Sequence, residues 1–312
     1  MGLKIKNKRG MFFTILTIAM LSLFFIAYFS YSAIEDRSAI DDRIKTMNNF
    51  VFSLEEDMSR QVYISTYRAV LSAENYITTN GSFIPNSQTA IEEALINGTI
   101  SNENMSLMEG YKLEEWSSRV SNSSEKMNLL VNYTVLDVQV NQEDPWNLNV
   151  NMRIELFIKD KSNLALWNKT SLINSKVEII GFEDPLYLIK TEGRVTNKIN
   201  KTIYEPFTEG SNISNLSAHV FDSLYIASAS APSFLNRLEG NLSPDINGIE
   251  SLVYLPELSS QKVSIEDKSI IDYIYFSTNN PASYNIHGMP SWFKLDNESA
   301  HLEMYGVSNL TE

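Results

Sequence analysis

MFFTILTIAMLSLFFIAYFSY (Met11–Tyr31), continued by SAIEDRSAIDDRIKTMNNFVFSLEEDMSRQVYISTYRAVLSAENYITTN (Ser32–Asn80), is seventy residues without a glycine or a proline. Gly10 and Gly81 bracket it. The two residues that most disfavour a helix interior are absent, so nothing in the run forces a break. One continuous helix over Met11–Asn80 is predicted, about 105 Å long at ~1.5 Å per residue. Its first part, 11–31, carries no charge and is long enough to cross a bilayer. The remainder is charged and periodic. Ile40, Ile44, Met47, Val51, Leu54 and Met58 recur at steps of three and four, the spacing of an a/d seam. Ile44, Met47, Val51, Leu54 and Met58 are the expected contact seam. Asp41–Lys45 and Glu56–Arg60 set an acid before a base at i, i+4 on the other faces. Beyond Met58 the apolar stripe widens through Val62, Ala69, Val70, Ala73 and Ile77, as in a stalk that begins to pack on a globular body. Such a seam either lies on its own domain or is buried against neighbouring subunits.

Charge orients the anchor. Lys4, Lys6, Lys8 and Arg9 precede the apolar run with no acid among residues 1–10, while Glu35 and Asp36 follow it. Basic residues concentrate on the cytoplasmic side of a span. The expectation is a cytoplasmic leader over 1–10, a transmembrane helix over 11–31 and an extracellular stalk helix over 32–80. The rival reading is a cleaved secretory signal with Ser30-Tyr31-Ser32 as the small-x-small site. An apolar core of about 7–15 residues is usual for such signals, and the longer run here favours retention.

Lys8-Arg9-Gly10, directly before the apolar helix, resembles the class III signal of archaeal type IV pilins and archaellins. The resemblance covers the first thirty residues or so. It implies cleavage between Gly10 and Met11, with the apolar helix kept on the mature protein. It also implies self-association, or contact with other surface-protein subunits, through that helix. The chain departs from the common pattern at Ile15, where the family carries a glutamate at the fifth mature position.

The 312 residues suffice for two ordinary domains, and 43% are apolar, so a packed core is expected. Net charge is -13; after the leader, 21 Lys/Arg face 38 Asp/Glu. That balance argues against nucleic acid as a partner. There is no cysteine, which removes disulfides, thiolate metal sites and cysteine nucleophiles together.

The fold class read from the remainder is α+β. The long helix is followed by a loop-rich helical connector over 81–125, with helices at Thr89–Ile96 and Leu107–Arg119. A β-sandwich-like antiparallel domain is expected over 126–208, and a mixed α/β region over 209–312. Leu148, Val150, Met152, Ile154, Leu156 and Ile158 alternate strictly within Asn147–Lys159, a half-buried strand. In Leu130–Val140 the apolar parity switches between Val135 and Leu136, which predicts a bulge. Gln142-Glu143-Asp144-Pro145 supplies the turn between these strands. Further strands are expected at Val177–Ile180, around Ile203, at Leu252–Leu255 and at Ile270–Phe276, with a helix at Leu216–Ser228. Trp292, Phe293 and Tyr305 are expected to close a core.

The phrases EDPW (143–146), GFEDPL (181–186), APSFLNRLEG (231–240), GIESLV (248–253) and IIDYIYF (270–276) resemble stretches of archaeal membrane-anchored surface proteins, some with pilin-like N-termini. The resemblance implies kinship and brings no catalytic residues with it.

Asn-x-Ser/Thr occurs at Asn80, Asn97, Asn104, Asn122, Asn132, Asn168, Asn200, Asn212, Asn215, Asn241, Asn297 and Asn309. Chance pairing in this Asn- and Ser-rich composition gives roughly five such patterns. All twelve lie beyond the anchor, so N-glycosylation of the outer part is expected. Asn241, followed by Leu-Ser-Pro, is the weakest acceptor. The only histidines are His219, His287 and His301, and no two share a metal-binding spacing. Asp296, Glu298, His301 and Glu303 would need the fold to gather them into a site. No P-loop, nucleophile elbow or dinucleotide fingerprint is present. Neither metal nor cofactor is expected. Trp116, Trp146, Trp167 and Trp292 serve either as core residues or as a carbohydrate surface.

Three functions follow. The first is a pilin-like structural component of a filament or envelope assembly. The second is a monomeric stalked ectodomain that binds a ligand, glycan or partner. The third is an ectoenzyme, which no catalytic constellation supports.

Overall fold

The computed structural model describes residues 8–312, without the side chains of 8–11, Ala33, Asp36 and Ala39. Lys4 and Lys6 lie outside the described residues. Helix α1 runs unbroken over Lys8–Asn80, 73 residues. Gly10 and Met11, where the resemblance implies cleavage, fall within its first turn. Its end is the one the sequence marks: Gly81 takes a positive φ of 63° and its N–H bonds Ile77 O at 2.9 Å.

Beyond α1 come α2 (Ser87–Asn97), a hairpin of β1 (Thr99–Ile100) and β2 (Glu103–Asn104), and α3 (Leu113–Glu125). Asn86 caps α2, its side chain accepting from Thr89 N, and Gly98 closes it in the left-handed region. The connector helix expected at Leu107–Arg119 is displaced. Ser106–Met108 is a short 3-10 turn, and Gly110 at φ 78° separates it from α3.

Strands β3 (Leu129–Asp144), β4 (Asn147–Asp160) and β5 (Leu166–Glu178) form one antiparallel sheet in the order β3-β4-β5. The β3 register shifts between Val135 and Asp137, so Leu136 is the bulged residue the parity switch predicts. One face of the sheet is buried and carries Val131, Tyr133, Val138, Val140, Leu148 to Ile158 at alternate positions, Ile173 and Val177. The sandwich expected over 126–208 has no second sheet among the described residues. Helices take its place: Met47, Val51, Leu54, Met58, Val62 and Trp116 share the hydrophobic core with those strand residues. A sheet needs its apolar face covered, and an amphipathic helix does this as well as another sheet.

The C-terminal region consists of α4 (Pro185–Lys190), α5 (Ser214–Phe221), β6 (Tyr225–Ala227), α6 (Phe234–Glu239), β7 (Ile249–Ser251), α7 (Leu255–Ser260), α8 (Asp272–Tyr275), β8 (Ser283–Asn285), β9 (Lys294–Asp296) and α9 (His301–Met304). It has its own core, in which Leu186, Tyr187, Val195 and Phe207 pack with Phe293, Leu295 and Tyr305. Ile199, Tyr225, Phe234, Leu238 and Ile249 instead belong to the core shared with the sheet and α1, so the two cores interleave along the sequence. Trp292 is packed against it.

Several short elements differ from the sequence reading. Leu216–Ser228 splits into α5 and β6, with β6 pairing β7. Leu252–Leu255 is no strand; β7 lies just before it and Leu255 opens α7. Ile270–Phe276 is buried as expected but contains the helical turn α8. A short apolar run that is buried on all sides has no periodicity to separate strand from helix. Around Ile203 there is only an isolated bridge between Lys201 and Tyr225, and Ile203 is exposed.

Candidate functional site

The apolar part of α1 stands clear of the fold. Phe12–Ser32 is 21 residues long, none of it buried against the rest of the chain, and it is the one helix among the described residues long and apolar enough to cross a membrane. At ~1.5 Å per residue it measures about 31 Å, the thickness of a bilayer's hydrocarbon core. In water, this many exposed Phe, Leu and Ile side chains would be strongly unfavourable at ~25 cal/mol per Å².

Arg43 fastens the helix to the folded body. Its Nε donates to Asp160 Oδ1 at 2.7 Å, and Nη2 donates to Met127 O at 2.8 Å and Asn128 O at 3.3 Å. Arg43 lies eleven residues past Ser32, which sets this collar about 16 Å beyond the end of the span. Asp160 is buried. Burial alone would raise its carboxyl, but the Arg43 guanidinium and the amides of Leu164 and Ser162 outweigh it and hold the group below the usual carboxylate range. Further along, Lys169 Nζ reaches Glu55 at 2.8 Å, Ser59 Oγ donates to Asn174 O at 2.7 Å, and Arg68 stacks over the Tyr111 ring at 3.6 Å. Polar side chains thus fasten α1 to the sheet and to the connector along its outer half.

The seam residues divide. Met47, Val51, Leu54 and Met58 are buried in the chain's own core, whereas Ile44 is 38% exposed and Ile40 36%. The contact made by the four is intramolecular. Of the two readings of the seam, its own domain is the surface it meets here.

The sequons map outward. Eleven of the twelve asparagines are exposed, and Asn215 is half-buried. Asn215 Nδ2 also donates to Pro206 O at 2.9 Å, which occupies the atom a sugar would join. Asn241 is exposed, and its Oδ1 accepts from Ser243 N at 3.0 Å in a local turn.

The four phrases from the C-terminal part of the resemblance meet in one buried network. GFEDPL gives Asp184, APSFLNRLEG gives Arg237, GIESLV gives Glu250 and Ser251, and IIDYIYF gives Asp272. Arg237 is fully buried and lies 2.6 Å from Asp184 Oδ2 and 2.9 Å from Asp272 Oδ2. Its Nη2 also donates to Ile249 O. Tyr225 Oη donates to Asp184 at 2.8 Å, and Ser251 N and Oγ donate to Asp272 Oδ2 at 3.0 and 2.8 Å. Adjacent to it, His301 Nδ1 meets Asp296 Oδ1 at 2.7 Å and Nε2 meets Tyr273 Oη at 3.0 Å. Burial pushes His301 down, but Asp296 and Glu250 outweigh it and raise its affinity for a proton. The sequence holds the signal for these contacts only as isolated charged residues inside apolar phrases.

Tyr273, His301 and Asp296 thus form one hydrogen-bonded chain. Burial and the negative charges of Glu250, Asp272 and Asp296 drive the Tyr273 hydroxyl well above its ordinary range, so it stays protonated. His219 is buried between Phe207 and Tyr305, with Nδ1 at 3.0 Å from Thr202 Oγ1, and burial lowers it to about 4. His287 is exposed and pairs with Glu312. Glu298 and Glu303 are exposed, and Glu298 accepts from Asn279 Nδ2 at 3.1 Å. No group of three His, Asp or Glu suited to a metal ion occurs among the described residues.

Of the four tryptophans, Trp116 packs on Tyr133 in the core, Trp292 stacks edge-on against Tyr254, and Trp167 is packed against the main core. Trp146 lines a cleft of about 790 Å³ with Lys201, Glu205, Phe207, Glu303 and Met304, and Trp116 also borders one of about 590 Å³ with Phe50, Asp57, Arg60 and Arg119. Lys201 Nζ sits 5.8 Å from the Trp146 ring. Compared with protein-family models, curated proteins and solved structures, the chain matches none.

Proposed function

We propose that this chain is a membrane-anchored, glycosylated extracellular surface protein, N-terminus inside, that serves as a pilin-like structural component of a filament or envelope assembly. The observation that carries the reading is the single helix α1. A bare 21-residue apolar span near one end and the spine of the folded body at the other belong to one unbroken 73-residue helix. Such a helix fixes the body's height and direction relative to the membrane, which is a structural task. The basic flank ahead of the span supports the inside-out topology. The reading includes no enzymatic role.

A second reading is a stalked monomer that binds a ligand, glycan or partner. Two observations favour it: four of the five seam residues are buried inside their own chain, and Trp146 lines a cleft with polar neighbours.

The absence of native cysteine makes the test clean. Single cysteines in the span, such as Phe25→Cys or Phe29→Cys, are introduced into the full chain in intact cells and oxidised. Cross-linked dimers at one helix face support the assembly; monomer at every position supports the stalk. Protease added to intact cells should remove the body, and full protection would overturn the topology in both readings.

A further inference from the structure

The open face of the β3-β4-β5 sheet is not uniformly polar. Leu130, Leu136, Leu166 and Leu172 lie on it with 44–63% of their surface exposed, and Phe157 stands near its centre at 37%. A three-stranded sheet with such a face invites association with other sheets. The strand register places two sequons around the aromatic ring. Asn132 on β3 is directly opposite Phe157 on β4, and Phe157 is directly opposite Asn168 on β5. In the next row, Thr134 and Thr170 flank Glu155 in the same way. Thr134 and Thr170 are the hydroxyl residues of the Asn132 and Asn168 sequons. Residues two apart in a strand share a face, so each complete acceptor motif points outward with the ring between the two. All of Asn132, Thr134, Asn168 and Thr170 are exposed.

We infer that N-linked sugars on Asn132 and Asn168 form a paired cover over Phe157 and the apolar face around it. This rests on the glycosylated-surface-protein reading and adds what two of the sugars do. Adjacent strands are about 4.8 Å apart, so the two attachment points are separated by roughly 10 Å with the ring midway. The first sugar on each side reaches the ring without crossing the other. A pyranose presents a C–H-rich face, and an aromatic ring presents a flat apolar face with negative charge above it, so the two stack. Attachment uses a lipid-phosphate-linked oligosaccharide as donor. The bond from asparagine Nδ2 to sugar C1 forms, the C1–O bond to the lipid phosphate breaks, the amide loses one proton and the lipid phosphate leaves as the anion. The same cover keeps this face from pairing with another copy, which directs any assembly to surfaces elsewhere on the chain.

The test uses the full-length protein extracted from its native membrane. Glycopeptide mass spectrometry should find sugar at both Asn132 and Asn168. Thermal unfolding is then compared before and after deglycosylation, for the native chain and for Phe157→Ala, whose exposed position lets it fold. The native chain should lose about 2–4 °C in Tm on deglycosylation, and Phe157→Ala should lose nothing beyond what the other sugars contribute in an Asn132→Gln/Asn168→Gln chain. That double variant should also self-associate more. Sugar at other sequons but not at these two would overturn the cover and leave the glycoprotein reading intact. No sugar anywhere would overturn both. Occupied sites with equal Tm losses in native and Phe157→Ala chains would overturn the stacking on Phe157.

Discussion

Arg43 on the helix and Asp160 at the end of β4 lie 117 residues apart in sequence and 2.7 Å apart in space, at the point where α1 enters the folded body. Beyond them the helix is fastened to the body by Lys169 on Glu55, Ser59 on Asn174 and Arg68 over Tyr111. This pair therefore marks where stalk becomes body. Arg43→Ala should cost about 1–3 kcal/mol, since it leaves a buried carboxylate and two carbonyls short of a donor. Urea unfolding of the detergent-extracted chain reads it directly. The pH dependence has a definite sign. A carboxyl held below its ordinary range adds stability above that range and loses it as pH falls through the folded value. Asp160→Asn should flatten the acid limb of the stability curve.

Glu74 carries the opposite sign. It sits on α1, almost wholly buried, with Oε1 lacking a partner. Burial raises it to about 8, helped by the charges of Glu183 and Asp184 and opposed by the Glu183 backbone amide and by Lys198. The folded chain keeps a proton that the unfolded chain gives up near the ordinary carboxylate value, so stability falls as pH rises from about 4.5 to about 8. Glu74→Gln should remove that fall and leave the chain on the order of a few kcal/mol more stable than the native one at pH 8 and above. Denaturant midpoints at pH 5 and pH 8 check it; equal pH dependence in both chains would refute it.

Arg237 is the single cation between Asp184 and Asp272. Removing one partner of a buried ion pair is far worse than replacing the whole set, because the charge left behind has no compensation. Arg237→Met should cost about 3–5 kcal/mol and prevent the C-terminal region from folding at ordinary temperature. Arg237→Met with Asp184→Asn and Asp272→Asn should recover much of it. Circular dichroism melts of the three chains measure the difference.

The seam offers a paired test on one helix. Val51→Asp should cost on the order of 2 kcal/mol or more, because the site is buried within the same chain. Ile44→Asp, seven residues earlier and partly exposed, should cost little. The Val51→Asp loss should appear in the isolated chain at any dilution. A cost visible only in the assembled form would place the seam between subunits instead.

The sequence by itself determined the helix, its apolar span and the central hairpin. A run without glycine or proline, an uncharged stretch of bilayer length, and a parity switch at Leu136 are local or periodic signals, and each needs no knowledge of what lies across the fold. The strict alternation of Leu148 to Ile158 likewise stated that one face would be buried. It did not state by what. That α1 covers the sheet, that Met47 to Met58 meet their own chain while Ile44 does not, and that the sheet has an open face were decided by tertiary packing. So were the pairing of Arg43 with Asp160, the meeting of Asp184, Arg237 and Asp272, and the placing of Asn132 and Asn168 on either side of Phe157. The physical reason is the same throughout. Periodicity reports which side of an element avoids water, whereas a charged pair or a cross-strand neighbour depends on register between segments far apart in sequence, and only the packed chain sets that register.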